Sequence, residues 1–410
     1  MWTIAIFDPF SSPQFLGEAL RRRKIRSVAV YTREISPEIC AHLYAPQFFD
    51  VVLHTQGWAE MEVEKYLKRL ATSYVLYGNE FAVPLADRIA RVITPQSAND
   101  PATSDCRWNK YAMNQCITEH DLPGIRQVMI PAFLSQEDRQ AIRNTLKFPL
   151  IVKPVQAGGT QGMAKCETMA EIETHLEGIP GEHLALCASQ FVVQEFIHGE
   201  EYFVDTVSVQ GEHQISGVFH NVKHYFSHSN IYQRTEIVDP TDPAWKQCTE
   251  YVLKVLDITG FHNGFAHTEV FMTEHGPLLL EINPRISGAS GYIQKITRLV
   301  YGWSQPDLLA DALSCSSPLY RDYTLHSYGI MVYLNNWQEN HQLSELKLSL
   351  LQGLPSFQET TMLFPLGVLV NPPVNLLQTI AFVLLHHPDR QVVEKDFRQI
   401  MAWEKAGMLF

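Results

Sequence analysis

A chain of 410 residues has room for about two to four domains and a large core. Hydrophobic residues make up 46% and charged residues 19%, the balance of an ordinary globular protein. The net charge of −12 argues against nucleic acid or an anionic membrane as the main partner, while leaving room for a local basic pocket.

The chain opens on Trp2–Phe7, read as a strand, without the basic start and long apolar stretch of a signal peptide. Apolar runs such as Ile380–Leu385 are too short to span a bilayer. The seven cysteines (Cys40, Cys106, Cys116, Cys166, Cys187, Cys248 and Cys315) are odd in number and include no C-x-x-C pair. Free thiols and a cytoplasmic location are expected.

Strands are expected at Trp2–Phe7, Ser27–Tyr31, Phe49–Leu53 and Tyr74–Tyr77. Helices are expected at Gln14–Lys24, Trp58–Ala71 and Phe81–Val92. This alternation predicts a parallel α/β unit, and no G-x-G-x-x-G follows the first strand to mark a dinucleotide site. Thr94–Asp105, rich in Pro, Asn, Ser and Thr, reads as a linker. The helix Arg107–His120 carries Lys110 near its start. Leu150–Pro154 reads as a short buried strand ending at Lys153. Behind it, Ala157–Met163 is a loop of small residues (Gly158, Gly159, Thr160, Gly162) whose backbone N–H groups could wrap phosphates. Its spacing is not that of a Walker A motif.

A meander follows: strands Phe191–Ile197, Glu201–Val209 and Gln214–His220, then a helix over Ala244–Thr259. Helices are read at Met169–Leu176, Gly288–Arg298, Asp307–Leu313 and Val392–Lys405, and a strand at Leu325–Leu334. His220, His224 and His228 recur every four residues, which on a helix would suggest a metal. Their surroundings read as strand and loop, which argues against that.

Phe265–Phe271 and Leu278–Ile282 flank the turn signal Thr273–Gly276. A turn centred on His275 places Val270 opposite Leu280, Met272 opposite Leu278, and Glu269 opposite Glu281. Cross-strand Cβ atoms lie about 5 Å apart, and like charges there repel. A cation between the two carboxylates would resolve this, with Asn283 adding an oxygen. An all-oxygen set suits Mg²⁺ or Mn²⁺, although two solvated glutamates on an ordinary hairpin fit the pattern too.

The ordered set is a lysine helix, a lysine-ended strand, a glycine loop, an acidic strand turn and the hairpin with its E-x-N-P-R exit. Over about Asp105–Leu313 it resembles the ATP-grasp superfamily. Gly78–Ala90 and Arg107–Met113 are similar to the bacterial L-amino-acid ligases, or dipeptide synthetases. The resemblance implies an α/β architecture, α+β in its central part. An N-terminal Rossmann-like domain (1–104) would precede an ATP-grasp domain (105–320) with a lid (about 148–198) and an antiparallel central sheet. A C-terminal appendage (321–410) would follow. It implies ATP-dependent ligation of two amino acids through an acyl phosphate, with release of ADP and phosphate. Ligation of a non-amino-acid carboxylate to an amino acid, and a non-catalytic ATP-binding regulator, are the alternatives.

The resemblance also implies roles. Lys110 and Lys153 would hold the α- and β-phosphates, with Lys153 also catalytic. Gly158, Gly159, Thr160 and Gly162 would close over them. Gln194 and the backbone of Glu195 and Ile197 would line adenine. Glu201, or its neighbour Glu200, would bind the ribose. Glu269, Glu281 and Asn283 would hold two Mg²⁺ (or Mn²⁺). Arg285 would act on the γ-phosphate and the tetrahedral intermediate. Ser287, Gly288, Ala289 and His267 would border the substrate, the small Ala289 leaving space. Lys223 and His224 are further candidates for a substrate carboxylate. The implied partners are small amino acids or carboxylates, with no nucleic acid, no membrane and room for a homodimer.

Overall fold

A computed structural model describes residues 2–34, 44–156, 162–179, 190–226, 229–314 and 321–410. Four short apolar strands open the chain: β1 (Thr3–Phe7), β2 (Arg26–Tyr31), β3 (Val51–His54) and β4 (Tyr74–Tyr77). They form a parallel sheet of order β3-β2-β1-β4. Helix α1 (Pro13–Arg22) connects β1 to β2, α2 (Glu60–Arg69) connects β3 to β4, and α3 (Val83–Ile93) follows β4; continuous apolar strands such as β1 suit burial on both faces.

The expected linker instead contains regular 3₁₀-helical structure at Pro95–Ser97 and Pro101–Arg107, largely at the surface but anchored by the buried Thr94, Ser97, Asn99 and Arg107. Its polar residues serve as stitches. Asn99 exchanges bonds of 2.9 and 2.7 Å with the backbone of Asn263. Helix α4 (Lys110–Glu119) then starts at an Asn109 cap, whose side chain accepts from the Tyr111 and Ala112 amides.

A second four-stranded sheet has the order β5-β8-β6-β7, from β5 (Gln127–Pro131), β6 (Leu150–Pro154), β7 (Ala164–Cys166) and β8 (Gln190–Glu195). Helices α5 (Gln136–Thr145) and α6 (Met169–Glu177) share its small core. β5 and α5 lie ahead of residue 148 in sequence.

The central sheet is built from β9 (Glu200–Val209), β10 (Glu212–Phe226), β11 (Ser229–Ile237), β12 (Gly264–Thr273) and β13 (Gly276–Asn283). Helix α7 (Pro243–Ile258) joins β11 to β12, and α8 (Tyr292–Tyr301) and α9 (Gln305–Ser314) follow β13. β14 (Tyr328–Leu334), β16 (Phe357–Met362) and β18 (Ala381–His387) extend the same sheet, giving the order β13-β12-β9-β10-β11-β14-β18-β16. The two-residue strands β15 (His341–Gln342) and β17 (Leu369–Val370) pair apart from it, and α10 (Leu348–Gln352) lies between them in sequence. Helix α11 (Arg390–Lys405) closes the chain. One core runs from β1 (Ala5, Phe7) through Met113 to Val204, Val270 and Leu279, so the first domain and the central sheet share it.

Candidate active site

The hairpin β12–β13 forms one edge of the central sheet. Its turn is one residue tighter than a turn centred on His275: Thr273 pairs with Gly276, Met272 with Pro277 and Val270 with Leu279. Met272 therefore does not face Leu278, nor Val270 Leu280. A bulge between Glu269 and Val270 then shifts the register by one, and Glu269 faces Glu281. The bulge also changes parity. Leu279 and Glu281 would share a face of a regular strand, yet Leu279 is fully buried in the core while Glu281 turns toward the cleft.

Asn283 spans the two carboxylates, its Nδ2 donating to Glu269 Oε1 (3.3 Å) and Glu281 Oε1 (3.2 Å). Lys110, at the start of α4, reaches Glu281 Oε2 at 2.6 Å. Its backbone amide donates to the Val155 carbonyl, which joins α4 to the end of β6 and so to Lys153. Lys153 is buried. Burial foremost, then the Lys110 charge, hold its ammonium down at about 8, against the pull of Glu281 and Glu269. Burial alone would raise Glu281, but Lys110 and Lys153 carry it below the usual carboxylate range. Burial and the facing Glu281 push Glu269 up, and His267 partly offsets this. Glu269 and Glu281 thus compete for positive charge.

Among the described residues, no three His, Cys, Asp or Glu side chains converge on a metal position. The donors facing the cleft are two carboxylates and an amide that can present either end. All offer hard oxygen ligands, and the two carboxylates face each other across the hairpin. On this chemistry the set fits Mg²⁺ or Mn²⁺.

Arg285 leaves β13 and bonds Glu80 Oε1 through Nε at 2.6 Å. Glu80 belongs to a 3₁₀ turn of the first domain and is not singled out by the sequence pattern. It lines one cleft with Phe81, Trp108, Lys110, Gln156 and Asn283. His267 does not point freely at a substrate. Its Nδ1 bonds Asp205 (2.8 Å) and its Nε2 meets Glu269 (3.2 Å); against the cost of burial, these carboxylates raise its pKa to about 9. Ser287 bonds Asp205. Gly288 and Ala289 begin the turn into α8, and Ala289 has a left-handed backbone (φ 53°).

Glu201 is buried on the same face of the sheet as Glu269. It accepts from Asn221 (2.8 Å), Tyr232 (2.8 Å) and Lys223 (2.6 Å). Burial opposes its charge, but these partners hold it below the ordinary range. A carboxylate has about four lone-pair sites; among the described residues three are used, two on Oε1 and one on Oε2. Its rival Glu200 is exposed and bonds the Tyr202 hydroxyl. Lys223 is spent on Glu201. His220 stacks on Tyr202 and His224 meets Trp337, so these two histidines do not converge. His228 lies outside the described residues.

On β8, Gln194 is buried and bonds Gln127, while the Glu195 amide donates to the Arg126 carbonyl. Ile197 is the second residue past β8. Gly158, Gly159 and Thr160 lie outside the described residues. Gly162 has φ +68°, and a Cβ there would come within 2.9 Å of Pro154, so glycine is required where the loop returns. Asp205, Glu80 and Tyr232 carry no local signal, because each gains its meaning from a partner far away in sequence.

Residues 146–292 match the family model of an ATP-grasp domain. Dapdiamide A synthase of Enterobacter agglomerans is 30% identical over 241 residues, which cover 58% of this chain and 56% of that protein. The chain thus spans about half the length of that curated relative, and less of others it matches. Among solved structures, an L-amino acid ligase from Bacillus licheniformis superposes with a TM-score of 0.73 at 18% identity, covering 98% of this chain and 97% of that one. An N5-carboxyaminoimidazole synthase from Aspergillus clavatus, in complex with ADP and its ribonucleotide, gives 0.71 at 14% identity, covering 99% of both. These superpositions establish the fold.

Proposed function

We propose, starting from the ATP-grasp fold and domain that this chain carries, that it is an ATP-dependent carboxylate–amine ligase joining two amino acids. The reaction runs through an acyl phosphate and releases ADP and phosphate. The observation that carries this reading is the facing pair Glu269–Glu281, bridged by Asn283, set against Lys110 and Lys153, with Arg285 at the strand exit.

Ligation needs an activated acyl group, since a free carboxylate does not yield to an amine. Phosphoryl transfer depends on alignment and on cancelling charge over the moving group. Lys110 would exchange Glu281 for phosphate oxygens, and the ammonium of Lys153, disfavoured by burial, would be stabilised by the same phosphates. Gly158, Gly159, Thr160 and Gly162 would close over them and exclude water, which otherwise hydrolyses an acyl phosphate. Gln194, the Glu195 carbonyl and the Ile197 amide would receive adenine, and Oε2 of Glu201 a ribose hydroxyl. Glu269, Glu281 and Asn283 would hold Mg²⁺ or Mn²⁺, whose chemistry is to neutralise the β- and γ-phosphates. Arg285, oriented by Glu80, would meet the γ-phosphoryl and then the tetrahedral adduct. Ser287, Gly288 and Ala289 would border the amino-acid side chain.

The test is ADP release measured across all pairs of proteinogenic amino acids, with mass spectrometry of the products. At least one pair should give ADP, phosphate and a dipeptide in equal amounts. No ADP with any pair would sink the dipeptide reading.

A further inference from the structure

Glu269 is the cleft end of a buried polar chain. His267 contacts it through Nε2 at 3.2 Å and Asp205 Oδ1 through Nδ1 at 2.8 Å. The second Asp205 oxygen accepts from the Ser287 hydroxyl. Ser287 lies two residues beyond Arg285, and its backbone is gripped on both sides: its amide donates to Gln305 Oε1 (3.1 Å), and its carbonyl accepts from Ser12 Oγ (2.8 Å). Asp205 and Ser287 are almost fully buried.

We propose that His267, Asp205 and Ser287 form a positioning relay that fixes the Glu269 carboxylate for a divalent cation and ties it to the turn carrying Arg285. The inference rests on the ligase reading of the site. Apolar side chains would pack this face of β9 and β12 at less desolvation cost, as Phe203 does between Glu201 and Asp205. A carboxylate ligand gains from a partner that holds one oxygen while the other binds. Both His267 and Asn283 meet Glu269 at Oε1, so among the described bonds Oε2 is the oxygen left for a cation. Both imidazole nitrogens are engaged, so His267 positions a ligand and does not take a substrate carboxylate.

The test measures ADP affinity by calorimetry with and without Mn²⁺, in the full chain and its variants. In the wild type, Mn²⁺ should tighten ADP. In His267→Ala and Asp205→Asn that tightening should fall by about 10- to 100-fold, with ADP affinity in the absence of metal unchanged within about twofold. His267→Gln, which keeps an N–H for Glu269, should recover part of it, and the double variant should match the worse single one. Ser287→Ala, the mildest change, should show a smaller loss of the same kind and serves if the others fail to fold. Folded variants with wild-type metal coupling and a raised KM for an amino acid would overturn the relay alone. A wild type whose ADP affinity ignores Mn²⁺ would overturn both the relay and the metal site beneath it.

Discussion

Two glutamates facing each other on adjacent strands destabilise a hairpin unless something positive intervenes. Here Lys110 is ion-paired with Glu281 and the Lys153 charge acts on both, yet Glu269 is still pushed toward its protonated form. Removing one charge should therefore cost the fold little and the function much. Glu281→Gln should lose at least about a hundredfold in ATP turnover, the scale set by deleting one electrostatic partner of a transition state. Its melting temperature should stay within a few degrees of wild type. Full activity in the Glu281→Gln variant would refute the metal assignment. The facing pair was legible in the sequence, because both residues sit in one hairpin. The Glu80–Arg285 bond was not, because 205 positions separate its members and the sequence pattern gives Glu80 no role. Nor was the fate of His267: a histidine two residues before a glutamate reads equally well as a substrate contact or as a prop.

At the level of elements, alternation of apolar residues found most strands and the Glu269–Glu281 pair, but misread the hairpin pairs nearest the turn. The hairpin register depends on a bulge that the pattern does hint at, since Leu279 and Ile282, three apart, both face the core. The short β5 and β7, and β11 with its polar Tyr-Gln-Arg-Thr-Glu run, gave no clear period, and tertiary pairing decides them. Helix α5 was readable after all: Ser135 and Asp138 form a capping box. The start of α4 has more direct consequence. Asn109 caps it and thereby sets where Lys110 leaves the backbone. Asn109→Ala should lower stability by about 1 kcal/mol in urea unfolding and raise the KM for ATP. Asn109→Asp should retain the stability. A variant with unchanged stability and unchanged KM would mean that the cap does not place Lys110.

Across the whole molecule, the first domain and the central sheet are one body, stitched at residues whose composition suggests a linker. Arg107 is fully buried and ties three parts together. It pairs with Asp87 of α3 (2.7 Å), and it donates to the Asp100 carbonyl (2.7 Å) and to Thr259 (2.7 Å) just past α7. A cation at a helix C-terminus is favourable, and a buried one is costly to strand. Arg107→Met, which leaves Asp87 buried without its cation, should cost about 3–5 kcal/mol by urea denaturation. A loss below about 1 kcal/mol would show that the domains hold together without it. This junction brings Glu80 and Phe81 to the edge of the cleft, so the parallel sheet, unremarkable in sequence, becomes a wall of the site. The central claim is that the cleft transfers the γ-phosphoryl group of ATP to a carboxylate. It is tested most directly with an amino acid whose carboxylate is labelled with ¹⁸O. When the amine displaces phosphate, the carbon–oxygen bond breaks and the labelled oxygen leaves with phosphorus. One ¹⁸O per phosphate, with ADP as the co-product, is the result expected. Unlabelled phosphate, or AMP with pyrophosphate, would contradict it.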